Sequence, residues 1–267
     1  MQKTVSIVIP AFNEAQNLPA LLAQVHEVFD VLHDFSYECI VVDDASTDDT
    51  GAVLRALAPD YPALRLVRMT RNSGQSAALV AGMRRATGDV IITLDADLQN
   101  DPADIPKVLE ALQAADCVCG YRQRRQDTFF KRLTSRVGNR VRRWMVDDGV
   151  RDAGCGIKGF RKTCLEHIIP FHGVHRFFAA MVRNGGLTVV EVPVNHRSRV
   201  HGNSKYGFLN RVFWVLYDFF GVAWLRKRYL LIACEEEALS RNDDTPVNPT
   251  GSAPPGTAAE TGEFRHE

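Results

Sequence analysis

The chain predicts an α/β protein, a mostly parallel sheet with helices on both faces, and three observations carry that prediction. Apolar, β-branched runs alternate with amphipathic stretches four times, roughly every 25 to 35 residues. Polar residues stand directly after each apolar run, where right-handed crossovers bring them to one edge of the sheet. Composition is that of an ordinary globular chain, with 267 residues, 45% hydrophobic and 24% charged. Zero formal net charge and a pI near 7.1 argue against a nucleic-acid binder with a uniformly basic surface.

The first strand is Val5-Ser6-Ile7-Val8-Ile9. No apolar segment of signal-peptide type precedes it, which predicts a cytoplasmic protein. Pro10-Ala11-Phe12-Asn13-Glu14 follows, and then Leu18, Leu21, Leu22, Val25, Phe29 and Leu32 recur at the spacing of one helix face. A second strand, Cys39-Ile40-Val41-Val42, ends in Asp43 and Asp44; Ser46, Thr47 and Asp48 are suited to cap the helix carrying Val53, Leu54 and Leu57. Residues 64–69 form a third strand, followed by Arg71 and Asn72. Residues 75–86 form a third helix, and Gly88-Asp89 turns into the central strand. Beyond that strand, Asp101-Pro102 opens a fourth helix through Ile105, Val108, Leu109 and Leu112, and residues 117–120 are a fifth short strand. The first strand-to-helix turn has no Gly-x-Gly-x-x-Gly and no P-loop, so phosphates here are expected to be handled by a metal.

The central strand is the stretch around which the rest is organised. Val90-Ile91-Ile92-Thr93-Leu94 is an apolar run that stops in two carboxylates one residue apart, Asp95 and Asp97, with Gln99 close behind. At the carboxyl end of a parallel strand such carboxylates face the ligand crevice. One or two carboxylates, with water and a substrate diphosphate completing an octahedron, suit Mg2+ or Mn2+. The six cysteines show no Cys-x-x-Cys spacing and are expected to be reduced and mostly buried.

After the fifth strand the character changes. Between residues 121 and 143 stand Arg122, Arg124, Arg125, Lys131, Arg132, Arg136, Arg140, Arg142 and Arg143 against a single acid, Asp127. Phe130, Leu133, Val137, Val141 and Trp144 keep a helical apolar stripe, so the cations occupy the other face and suggest an anionic partner. A glycine-rich run, residues 152–156, follows; then a helix over 174–183, a strand over 187–194, and a basic loop containing Arg199, Ser204 and Lys205. Residues 212–225 are the most apolar window. As a helix they span roughly 21 Å, against about 30 Å for a bilayer core. Their aromatic residues and the following Arg226-Lys227-Arg228 fit a helix lying in a membrane interface, packing on the domain or on another subunit being the alternative. From residue 235 onward the chain reads as a disordered tail. These features divide it into a catalytic domain, 1–205, an amphipathic helical segment, 206–234, and the tail, 235–267.

Taken together, Pro10-Ala11-Phe12-Asn13-Glu14, Val42-Asp43-Asp44-Ala45-Ser46, Arg71-Asn72-Ser73-Gly74-Gln75, Leu94-Asp95-Ala96-Asp97-Leu98-Gln99 and Arg199-x-x-Gly202-x-Ser204-Lys205-Tyr206 resemble family 2 glycosyltransferases. The likeness is to their polyprenyl-phosphate sugar synthase branch, which includes dolichyl-phosphate mannose synthases and undecaprenyl-phosphate 4-deoxy-4-formamido-L-arabinose transferases. It covers about residues 4 to 228. The resemblance implies a glycosyltransferase A-type fold and assigns nucleotide-sugar binding to Pro10, Asn13, Glu14, Asp43, Asp44, Arg71 and Asp95. It assigns metal and donor diphosphate to Asp95, Asp97 and Gln99, and acceptor phosphate or diphosphate to Arg122, Lys131 or Arg132, Arg199, Ser204 and Lys205. The formamido-arabinose enzymes carry transmembrane helices after this domain. Here a polar tail follows, so attachment to the inner face of a membrane is expected to be peripheral or supplied by a membrane-protein partner, homo-oligomerisation being a further possibility.

A sugar leaves its nucleoside diphosphate as a diphosphate anion, and a metal with fixed cations lowers that barrier. A lipid-phosphate acceptor is already an anion, so inverting in-line attack requires positioning and no general base. Asp97 and Arg122 are then the catalytic candidates. A sugar hydroxyl would need a carboxylate within about 3 Å, for which Asp152 is the candidate. The expected donor is a uridine rather than a guanosine diphosphate sugar and the expected acceptor a polyprenyl phosphate. The alternatives are a hydroxyl-directed glycosyltransferase of cell-surface polysaccharide synthesis and a non-catalytic nucleotide-sugar-binding scaffold.

Overall fold

The alternating pattern closes into a seven-stranded sheet of order β3-β2-β1-β4-β6-β5-β7. A computed structural model describes residues 3–123, 145–197 and 208–230. Its first half follows the predicted alternation: β1 (Lys3–Ala11), α1 (Leu18–Val31), β2 (Phe35–Asp43), α2 (Thr50–Leu57), β3 (Leu64–Arg68), α3 (Gln75–Met83) and β4 (Val90–Thr93). A 3-10 turn, Pro102–Asp104, leads into α4 (Ile105–Ala111); the side chain of Asp101 caps the turn by accepting from Ala103 N–H at 3.1 Å. β5 (Cys117–Arg122) runs two residues further than its apolar run.

β1 pairs in parallel with β2 and β4, and β2 with β3, which sets the ends of β1, β2 and β4 at one edge. The prediction of a mostly parallel sheet holds, with one strand the exception. Between β4 and β5, however, lies β6 (Lys158–Arg161), antiparallel to both. The sequence assigns residues 158–161 to no element, because four residues with Gly159 among them are too short for a period-two signal. The helix expected over 174–183 divides into a 3-10 turn, Val174–Arg176, and α5 (Phe178–Asn184). β7 (Val189–Val194) then pairs in parallel with β5.

Each sheet face buries its own core. α1 and α4 cover Ile7, Ile9, Val41, Ile92 and Val118; α3 and α5 cover Val8, Ile40, Ile91, Cys119 and Phe160. Five cysteines are buried and free, as expected, and Cys234 lies outside the described residues. α6 (Phe208–Arg228) is longer than its apolar window, about 32 Å at the helical rise. No helix among the described residues is long and apolar enough to cross a membrane. One side of α6 packs on the domain: Phe219 and Val222 are buried, Phe219 meets Phe177 edge-to-face at 5.7 Å, and Asp218 pairs with Arg176 at 3.3 Å. Arg226 reaches Asp147 at 2.8 Å, and Tyr229, just past the helix, reaches His167 at 2.9 Å. The opposite side leaves Tyr217, Phe220 and Trp224 about two-thirds exposed, at 67%, 66% and 64%.

Candidate active site

The crevice at the ends of β1, β2 and β4 is lined by loops that largely knit themselves together. Asn13, at φ 58°, accepts at Oδ1 from the N–H groups of Thr47 at 2.8 Å and Asp48 at 3.3 Å. Glu14 donates its N–H to Thr50 Oγ1 at 2.9 Å and accepts from Asn17 Nδ2 at 2.6 Å. Asp43, buried, accepts from Ser46 N–H at 2.8 Å and lies 3.8 Å from Arg68 Nε. Asp44 spends both oxygens, each at 2.7 Å, on the N–H groups of Ser73 and Gly74, fixing the turn that opens α3. Arg71 sits exposed in that turn, and Pro10 is part-buried within β1. Asn13, Glu14, Asp43, Asp44 and Arg71 are therefore brought to one rim.

Asp95 and Asp97 lie just past β4. Asp95 accepts from Gln75 Nε2 at 2.8 Å, and its N–H donates to Asn100 Oδ1 at 3.1 Å. Asp97 accepts from Gln99 N–H at 3.2 Å, with Leu98 between them at φ 61°. Burial, and next the Asp97 carboxylate, push Asp95 up to about 6; Lys158, the Gln75 hydrogen bond and Arg122 pull the other way. A carboxylate made costly to ionise by a like neighbour is one that a cation relieves. Gly156 shapes the floor, since a Cβ there would overlap Asp95 Oδ2 and Asn100 Oδ1. Two carboxylates and an amide fit a hard divalent cation that keeps positions for water and phosphate. Among the described residues there is no set of three or more His, Cys, Asp or Glu side chains that would cage a metal without such help.

Arg122, at the end of β5, and Asp152 form a two-pronged ion pair, Nε to Oδ2 at 2.6 Å and Nη2 to Oδ1 at 2.8 Å, each side chain 16% exposed. The Arg122 N–H also donates to Asp152 Oδ2 at 3.3 Å. Asp152 is thus held as the partner of Arg122. The loop after β4 is also tied to β7's extension: Asn100 bridges His196, and Arg197 N–H donates to the Gln99 carbonyl at 3.0 Å. Lys131, Arg132, Arg199, Ser204 and Lys205, with most of the basic segment, lie outside the described residues.

Sequence reasoning passed over four contributors: Gln75, Asn100, Gly156 and Lys158. Gln75 stood at the end of the Arg71-Asn72-Ser73-Gly74 motif, which was the available signal for it. The other three lacked one, because their relation to Asp95 is made by tertiary folding.

Residues 6–169 match the family model described as glycosyl transferase family 2. Among curated proteins the chain is similar to undecaprenyl-phosphate 4-deoxy-4-formamido-L-arabinose transferase of Sodalis glossinidius, 37% identical over 78% of this chain and 64% of that protein. It is similarly related to the enzyme of that name from Aeromonas hydrophila, 37% identical over 79% of this chain and 65% of that protein. It therefore spans just under two-thirds of these relatives' length. Its fold is similar to that of glucosyl-3-phosphoglycerate synthase from Mycobacterium tuberculosis in complex with Mn2+, UDP-glucose and phosphoglyceric acid. There the TM-score is 0.62 at 18% identity, covering 84% of this chain and 79% of that one. A mannosyltransferase from Pyrobaculum calidifontis in complex with GDP-Man and Mn2+ gives a TM-score of 0.61 at 23% identity, covering 84% and 64%.

Proposed function

The chain belongs to glycosyl transferase family 2, and from that premise we propose that it moves a sugar from a nucleoside-diphosphate sugar, uridine-linked, to a polyprenyl phosphate with inversion. The observation that carries the acceptor class is the Arg122–Asp152 pair. A hydroxyl acceptor needs a free carboxylate to take its proton, and the carboxylate proposed for that task has both oxygens engaged by Arg122. A phosphate acceptor loses no proton at the reacting oxygen. One of its oxygens forms the bond to the anomeric carbon as the bond to the leaving diphosphate breaks. The names of the curated relatives support the same acceptor class.

In this reading Asp95, Asp97 and Gln99 hold Mg2+ or Mn2+, which supplies positive charge to the departing diphosphate. Asn13, Glu14, Asp43, Asp44 and Arg71 form the nucleotide rim, partly through the loop contacts that keep it rigid. Asp152 fixes the planar fork of Arg122, which Lys at that position would not reproduce. Lys131, Arg132, Arg199, Ser204 and Lys205 are assigned to the phosphates. The exposed aromatic side of α6, ending in Arg226, Lys227 and Arg228, is assigned to the cytoplasmic face of an anionic bilayer, which puts the site beside its lipid acceptor.

The test is transfer from a panel of radiolabelled nucleotide sugars, with Mn2+ present, to undecaprenyl phosphate and to free sugars. Product on the lipid phosphate alone is the expected result. Product on sugar hydroxyls alone would favour polysaccharide synthesis, and nucleotide-sugar binding with no product on either acceptor would favour a scaffold.

A further inference from the structure

We propose that Lys158 is a fixed cation of the donor site, set beneath the floor of the Asp95 crevice to attract the diphosphate of a bound nucleotide sugar. The inference rests on the metal and nucleotide-sugar reading given above and adds a residue to it. β6 sets Lys158 opposite Thr93 on one side and Cys119 on the other, so the lysine stands two positions short of Asp95 along the central strand. It is 5% exposed.

One peptide group separates the ammonium from the crevice. Lys158 Nζ donates to the Cys155 carbonyl, and Thr93 Oγ1 donates to the next carbonyl, that of Gly156, at 2.8 Å. The α-carbon of Gly156 faces the Asp95 carboxylate so closely that a Cβ would overlap it. Among the described residues no carboxylate lies within the 4.0 Å ion-pair distance of Lys158.

A buried ammonium with a backbone carbonyl for its partner is costly to keep. Apolar residues would fill the same space among Cys117, Cys119 and Phe160 at lower cost. The charge has a use on the far side of the Cys155–Gly156 peptide. Once a cation and a diphosphate enter, a fixed positive charge acts on them in opposite directions: it repels the metal and attracts the phosphates. That opposition separates a charge role from a merely structural one.

The experiment is calorimetry at pH 8 on the wild type, Lys158→Gln, Lys158→Met and Lys158→Arg. Mn2+ is titrated alone, and then UDP and GDP in turn at saturating Mn2+. Lys158→Gln retains a donor for the Cys155 carbonyl and removes the charge, so it decides the matter if Lys158→Met does not fold. The neutral variants are expected to bind Mn2+ more tightly and the better of the two nucleotides more weakly, each by about tenfold, the order of one unit charge acting across a partly screened interior. Lys158→Arg is expected to follow the wild type. Losses of both affinities together, or no change in either, would overturn the assignment. A wild type that binds neither Mn2+ nor a nucleoside diphosphate would instead remove the donor-site reading, and this inference with it.

Discussion

Asp152→Asn separates an orienting carboxylate from a catalytic base. The substitution removes one charge and replaces one accepting oxygen by a donor, which then faces the donors of Arg122. Two charge-assisted hydrogen bonds, at 2.6 and 2.8 Å, are affected. Such bonds contribute about 1.5 to 3 kcal/mol each when protected, and breaking a fully buried pair costs about 3 to 5 kcal/mol. At 16% exposure on both sides some of that is screened, so about 2 kcal/mol of stability should be lost. For transfer to polyprenyl phosphate, misdirection of the Arg122 fork should lower kcat/KM by about 10- to 100-fold, that is about 1.4 to 2.7 kcal/mol. The assay is a double-mutant cycle with Arg122→Ala. If Asp152 acts only through Arg122, adding Asp152→Asn to Arg122→Ala should cost less than about threefold further. An additive cycle, with Asp152→Asn losing more than about a thousandfold in either background, would refute the orienting role and return Asp152 to the position of base.

Three further outcomes follow from the same geometry. Gly156→Ala should displace Asp95 and cut metal-dependent transfer at least about a hundredfold, with far-ultraviolet dichroism unchanged; full activity would mean the Asp95 floor is not part of the site. Asp95, pushed up to about 6 by burial and next by the Asp97 carboxylate, stabilises the metal-free fold most below its unfolded value and loses that contribution as pH rises through about 6, while the ionised form becomes available to a cation. The thermal shift produced by Mn2+ should therefore be small at pH 5 and complete by about pH 7.5, and a shift independent of pH would exclude Asp95 as a ligand. Phe220→Glu with Trp224→Glu should abolish sedimentation with anionic vesicles and leave Tm within about 2 °C, since both rings are exposed; unchanged pelleting would assign that side of α6 to another role.

The donor half of the molecule was legible because its signals are local. An apolar run that stops in Asp95 and Asp97 announces both a buried strand and a charged strand end, and the structure keeps β4 and its carboxylates where the run ends. The long-range contacts that assemble the site were not legible. Gln75 meets Asp95 across 20 positions and Thr93 meets the Gly156 carbonyl across 63, and no periodicity reports contacts of that range. Residue type also fails to separate two uses of a carboxylate. Asp44 looks like a ligand-binding acid after a strand, and its two oxygens are committed to the turn that starts α3. α6 lies inside the helical segment expected over 206–234 but extends past the apolar window 212–225, because Phe208 to Arg211 and Arg226 to Arg228 are less apolar than that window and helices do not end where hydropathy does.

The reversed strand explains how the two halves meet. Parallel strands present their carboxyl ends to the crevice, so a parallel β6 would have offered residues beyond Arg161 to the site and turned its own entry segment away. Running antiparallel, β6 puts its first residue, Lys158, beside the last residue of β4, Thr93. The segment that enters β6 is then the one that reaches the crevice, and it carries Asp152, Cys155 and Gly156. β5, antiparallel to β6 on its other side, ends in Arg122 at the same edge. Arg122 and Asp152 can pair because one strand leaves this edge where its neighbour arrives. A single inversion in strand direction thereby joins the carboxylates of the central strand to the Arg122–Asp152 ion pair, and gives the site its second wall.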